Sequence, residues 1–358
     1  MQLDKYLQDL EDRIDEGVED ELLASWKEFT DNRFQGEVFV PARRKAAPAK
    51  VAWPKVLIND ALEDYDLMAL AQFGDCSQML EKAAGSVMMV RSDYGTSILP
   101  SLFGVRLFIM ERDLDTLPTS MPLQDLDAIR RLVGRGVPEL RQSLGAKALE
   151  MGRRLAAIKE RYPKIGKYVQ IYHPDLQGAM DVCEVIWGSR LFMDVADYPD
   201  LVKSFLDLIC RTYISFLSEW RRIVPSATDG YGFHWGLMHK GRIMLRTDSA
   251  MNFSPGMFDE FIRPYEQRLF DAFGGGAVHF CGHGDHYIES MSAMRGLNAI
   301  AMSQPELNDM ETIYRNTIDK GIKLISFDPG WAAKALASGR KLRGQVQCSS
   351  APTLLKDK

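Results

Sequence analysis

The chain lacks any apolar stretch near the roughly 18–20 residues that a membrane-spanning helix needs. Met1 to Glu21 is acidic and carries no apolar signal core, so a cytoplasmic location is expected. Cysteine is scarce and odd in number. Five cysteines scattered over 358 residues give no disulfide framework and should be reduced thiols. Positive charge is not in excess: 44 basic against 49 acidic residues leave a net charge of −5. That balance gives no electrostatic case for nucleic acid as a partner. The short basic runs Arg43-Arg44-Lys45 and Arg340-Lys341 read as solvated faces. No Gly-x-Ser-x-Gly elbow and no Gly-x-x-x-x-Gly-Lys-Ser/Thr loop occurs, so a serine hydrolase and a nucleotide-phosphate loop are both unsupported. There is no repeat of fixed period and no long low-complexity tract.

What remains is ordinary globular composition, 46% hydrophobic and 26% charged. The length suits a barrel of about 250 residues with extensions. Leu3, Leu7, Leu10, Ile14, Val18 and Leu22 recur at helical spacing, so residues 3–30 should be helical with one apolar face. Pro41 to Pro48 reads as a linker. We therefore expect an N-terminal helical arm and linker at 1–50 and a barrel at 51–358. The arm should pack on the barrel or on a second copy of the chain, which makes a homodimer one expected assembly.

Beyond residue 51, strand-like runs alternate with helical patterns. The candidate strands are Val56–Ile58, Val87–Arg91, Tyr168–Tyr172, Tyr231–Trp235, Ala277–Cys281, Asn298–Met302, Lys323–Phe327 and Gln345–Cys348. Val105–Met110 reads as an excursion, and Arg242–Arg246 as a hairpin partner of Tyr231–Trp235. The alternation predicts an α/β fold with a parallel sheet, closed into an eight-stranded (β/α)8 TIM barrel. Leu201 to Trp220 should form a helix with Cys210 as a core thiol. A second helix should open at Ser254-Pro255, kink at Pro264 and stop at Gly274. The run Gly274-Gly275-Gly276 follows a helix and precedes a strand, so it is a helix stop and turn rather than a phosphate loop.

The densest constellation runs from Val278 to His286. On a strand His279 and Cys281 share one face, while Val278 and Phe280 take the other. Gly282 and Gly284 end the strand, which puts the pair at a C-terminal strand end, where barrels carry catalytic groups. Imidazole and thiolate are ligand types that zinc prefers. A third ligand could be local, at His283 or His286, or remote, at Cys348. Polar residues past other strand ends should converge on the same rim to receive a small-molecule substrate. Candidate catalytic groups are His279, Asp248 and Asp175. Candidate substrate-binding groups are His173, Gln177, His234, Gln304 and Asn308; His239 lies near them in sequence.

Residues 168–330 resemble the uroporphyrinogen decarboxylase superfamily, and its methylcobamide methyltransferase branch in particular. The resemblance lies in His-Pro-Asp-Leu-Gln-Gly (173–178), in the run 188–202, in Asp248 ahead of 252–265, and in His279-Phe-Cys281-Gly282. It implies Zn2+ held by His279, Cys281 and Cys348. It also implies a methylated corrinoid as methyl donor, carried on a corrinoid protein, and a thiol or similar acceptor. True uroporphyrinogen decarboxylase is a poorer match, because its N-terminal Arg-Gln-Ala-Gly-Arg run is absent. The alternatives are a metal-free decarboxylase of a tetrapyrrole-type acid and a non-catalytic corrinoid-binding barrel.

Overall fold

In the computed structural model, which describes residues 3–353 except Ala227 and Asp229, the N-terminal stripe forms two helices rather than one. They are α1, Leu3–Arg13, and α2, Glu16–Thr30. The break falls at Ile14-Asp15, because Asp15 turns its carboxylate onto the N–H groups of Gly17 and Val18 and caps α2. Leu7, Leu10, Leu22, Trp26 and Phe29 are buried against this same chain. Arg43, also buried, forms a two-bond ion pair with Glu19 that ties the following segment to α2.

The strands in chain order are β1 Val38–Phe39, β2 Met89–Val90, β3 Arg106–Phe108, β4 Thr119–Met121, β5 Gln170–Ile171 and β6 Tyr231–His234. They continue with β7 Leu237–Lys240, β8 Ile243–Arg246, β9 Gly276–Phe280, β10 Leu297–Met302, β11 Lys323–Phe327 and β12 Val346–Cys348. Six of them form one parallel sheet in the order β1-β12-β11-β10-β9-β8. β2 and β5 form a separate parallel pair. β3 and β4 make the expected excursion as an antiparallel pair.

Two expectations need correction here. The first strand is Val38–Phe39, inside the segment read as arm and linker, and it pairs with β12. Val56–Ile58 is no strand, since Ile58 opens the helix Ile58–Glu63. The expected ring of ladder bonds is also incomplete. Among the described residues the six-stranded sheet does not close. Between β5 and β8 a side chain stands in for a ladder bond: Met244 N–H donates to His173 Nε2 at 3.2 Å. Gly178 N–H donates to the Arg246 carbonyl just beyond it, at 2.8 Å.

A third correction concerns the hairpin. Tyr231–His234 pairs with Leu237–Lys240, not with Arg242–Arg246. The turn is Trp235-Gly236 with both φ values positive, 52° and 82°, as a two-residue hairpin turn of the I′ kind requires. Gly241, at φ 81°, then reverses the chain so that Ile243–Arg246 joins the parallel sheet as β8.

Alternation sorts the sheet into two faces. Val278, Phe280, Ile300, Leu324 and Val346 join the large core shared with the helices. Ala277, Ala299, Ala301, Ile325, Met244 and Met89 face a second core, filled by Phe233, Leu237 and Met238 of the hairpin and by Trp26 and Phe29 of α2. Outside the sheet, the stripe on helix Pro199–Ile223 is buried, Cys210 included. The helix that opens at Ser254 breaks at Ile262 into Pro255–Phe261 and Arg263–Phe273, and it stops at a left-handed Gly274. Among the described residues no helix is long and apolar enough to cross a membrane.

Candidate functional site

β8 and β9 run side by side and end together, with Arg246 opposite His279. The chain leaves β8 through Thr247 into a short turn, Asp248–Asn252. It leaves β9 through Cys281. These two exits bring three side chains together. His279 Nε2 lies 3.3 Å from Cys281 Sγ. Asp248 Oδ1 lies 3.7 Å from His279 Nε2 and accepts the Cys281 backbone N–H at 2.8 Å. One ligand atom from each residue lies within 4.8 Å of the other two. Of the five cysteines Cys281 alone is not buried.

Each group is held from behind. Both oxygens of the buried Asp181 accept backbone N–H bonds, from Asp248 at 3.0 Å and Ser249 at 2.9 Å, and so fix the turn that carries Asp248. Burial pushes the Asp181 carboxyl up to about 7, with the charge of Asp248 adding to the effect. Trp235, at the hairpin turn, meets the His279 ring edge-on at 5.2 Å. The Arg246 guanidinium covers Trp235 at 5.0 Å. Burial lowers the pKa of His279, against the pull of Asp248. Burial raises the Cys281 thiol, and the nearby Asp248 carboxylate raises it further. One nitrogen, one sulfur and one oxygen donor suit zinc, and a cation among them would oppose the rise that burial and the Asp248 charge give the thiol.

A solved structure shares the fold. The methyltransferase from Methanosarcina mazei matches 93% of this chain and 94% of its own, with a TM-score of 0.63 and 16% sequence identity. That likeness is one of architecture. No protein-family model and no curated protein matches the chain.

Cys348 is not in the cluster. It is wholly buried in the helix-side core, where burial and the charge of Asp328 push its thiol up to about 12. Its register partner is Phe327, in the same core, and the intervening Gln347 accepts the Ser326 N–H. The third side chain beside His279 and Cys281 is that of Asp248.

The remaining candidates divide. Asp175 sits between two arginines, 2.7 Å from Arg246 and 3.6 Å from Arg91. His173 is buried with both nitrogens engaged, Nδ1 with the Pro174 carbonyl at 2.7 Å and Nε2 with Met244 N–H. That pattern requires the neutral ring protonated on Nδ1, and burial pushes its pKa down to about 3. His234 Nδ1 contacts His239 Nε2 at 2.9 Å, and His239 Nδ1 contacts the Lys240 carbonyl. The pattern forces Nδ1–H on both rings and leaves His234 Nε2 a buried acceptor without a partner. These three imidazoles form a neutral cluster beside the hairpin.

Gln304 and Asn308 serve the loop after Cys281. Gln304 Oε1 accepts from Gly282 N–H. Asn308 Oδ1 accepts from Gly284 and Asp285, and its amide donates to the Gly282 and Gln304 carbonyls. Their side chains fix backbone where substrate contact is expected. Gln177 is different. It is buried, left-handed at φ 58°, and its amide oxygen has no partner. The same loop holds a second His/Asp group, in which His283 Nε2 lies 2.8 Å from Asp285 Oδ1.

Sequence reasoning missed Asp181, Glu184 and Trp235. Asp181 and Glu184 are acids three apart in the apolar helix Ala179–Trp187, directly after a strand-end motif. That spacing puts both on one side of the helix and was a usable signal.

Proposed function

We propose that this chain is a zinc-dependent methyltransferase of the uroporphyrinogen decarboxylase superfamily, built as an eight-stranded (β/α) barrel with two open seams. It moves a methyl group from a methylated corrinoid, presented by a partner protein at the strand ends, to a thiol or similar acceptor. The observation that carries the reading is the convergence of Asp248, His279 and Cys281 where β8 and β9 end.

His279 Nε2, Cys281 Sγ and an Asp248 oxygen would hold the metal. When bound, zinc would lower the pKa of an acceptor thiol and keep it as thiolate. Asp248 is kept in place by Asp181 beside the Cys281 thiol. Trp235 meets the His279 ring edge-on and sets its orientation. Gln304 and Asn308 keep the 282–285 loop from shifting Cys281.

The decarboxylase alternative needs cations open to substrate carboxylates. Arg91 and Arg246 both engage Asp175, which argues against it. The test is a thiol-methylation assay with methylcobalamin, run on the full chain and on Cys281→Ser. Methyl transfer by the wild type and its loss in the variant are expected. Equal rates in both would sink the proposal.

A further inference from the structure

Past Cys281 the chain carries two imidazoles and a carboxylate within four residues: His283, Asp285 and His286. One ligand atom from each lies within 4.8 Å of the other two. The set shares no residue with the triad at the strand ends. His283 Nε2 stands 2.8 Å from Asp285 Oδ1, and His286 Nδ1 stands 4.0 Å from the same oxygen. Ligands about 2.1 Å from a tetrahedral ion stand about 3.4 Å apart, a value these two spacings bracket.

The inner groups are braced from outside. Asp285 Oδ2 accepts the Asp309 N–H at 2.7 Å, which leaves Oδ1 to the cluster. The Asp285 N–H donates to Asn308 Oδ1. His286 Nε2 lies 3.0 Å from the Phe253 carbonyl, which can only accept, so the ring carries its proton there. A histidine that binds metal through one nitrogen is held in this way by the other. His286 Nδ1 is then a bare lone pair. It is buried without a hydrogen-bond partner, and its charged neighbour is another acceptor, Asp285. A carboxylate cannot satisfy a lone pair, whereas a cation between the two satisfies both. His283 is half exposed and its ring stacks on that of His286 at 4.8 Å, so an ion reaches Nδ1 by displacing His283 alone.

We propose that His283, Asp285 and His286 form a second cation site, which takes a divalent transition metal of the zinc or cobalt kind. The ligands are His286 Nδ1, Asp285 Oδ1 and His283 Nε2, with water in the remaining positions. The ion takes the place of the His283 Nε2 proton, which passes to Nδ1. The set has no thiolate and one of its ligands is half exposed, so its ion exchanges and is lost on desalting, unlike that of the triad. The site does not depend on the methyl-transfer reading.

The test is calorimetric titration of the desalted full chain with Co2+, in the wild type and in Cys281→Ser, whose triad lacks its sulfur. The Cys281→Ser chain should bind about one Co2+ without a thiolate-to-cobalt absorption band. His283→Ala and Asp285→Asn, each added to either background, should weaken that binding at least about tenfold. His283 is exposed enough to lose without cost to the fold, and the asparagine keeps an acceptor for the Asp309 N–H. A Cys281→Ser chain that folds and binds no Co2+ would overturn the proposal. So would unchanged affinity in either added variant. The thiolate band in the wild type reports the triad separately. Its absence, with Co2+ binding that depends on His283 and Asp285, would uphold this site and remove the triad as a metal centre.

Discussion

Asp248 accepts the backbone N–H of Cys281 at 2.8 Å, across the ends of two adjacent strands. The carboxylate thereby fixes the position of the thiol and is itself fixed, through its own N–H, by Asp181. A change at Asp248 separates these two tasks. Asp248→Asn keeps an acceptor for Cys281 and removes the charge. Zinc affinity should fall about 10- to 100-fold, with unfolding unchanged within about 0.5 kcal/mol. Competition with a chelating dye measures the first and urea denaturation the second.

The hairpin turn should be sensitive far beyond its size. Gly236 has φ 82°, and a Cβ there would stand 2.7 Å from Ser86 Cβ. Gly236→Ala should cost about 1–3 kcal/mol. It should also disturb Trp235 against His279, so metal affinity should fall with stability. Stability equal to wild type would show that the turn is not held as described.

The N-terminal helices are part of the fold's core. Trp26 is fully buried, donates to the Gly85 carbonyl and meets Phe39 of β1 edge-on. Trp26→Ala should destabilise the protein by about 3–5 kcal/mol. A variant that merely changes oligomeric state, at full stability, would contradict this packing.

Glu266 sets a pH dependence. It is fully buried, its Oε1 accepts the Thr247 hydroxyl, and its Oε2 has no partner. Burial pushes the carboxyl from 4.5 up to about 8. Between those values the folded chain holds a proton that the unfolded chain has lost, so this group lowers stability as pH rises. The slope approaches about 1.4 kcal/mol per pH unit. Glu266→Gln cannot ionise, so its stability relative to wild type should grow between about pH 5 and about pH 8. A difference that stays constant with pH would mean that Glu266 is ionised in the fold.

Much of this was legible in the sequence, and the failures are local. β9, β10 and β11 are five or six residues long and mostly apolar, so their runs are plain. β2 and β5 lie inside the runs read at 87–91 and 168–172, although only two residues of each pair; β1, also two residues long and set before a proline-bounded segment, is too short for alternation to register. The hairpin was mispaired because its turn carries Trp235 where Asn or Asp would announce it. His279 and Cys281 followed from strand parity and met as expected. Cys348 did not, because the same parity turns it with Val346 toward the helices. Gln304 and Asn308 were seen as polar strand endings, and turn chemistry is what they perform.

A metal held by Asp248, His279 and Cys281 would stay with the chain through purification, so zinc content is the measurement to make. The full chain should be purified without chelators and analysed beside Cys281→Ser. The wild type should carry about one zinc per chain, and the variant should carry almost none while still unfolding cooperatively. A wild-type chain without zinc, or a variant that retains it in full, would mean that these three side chains do not hold the metal.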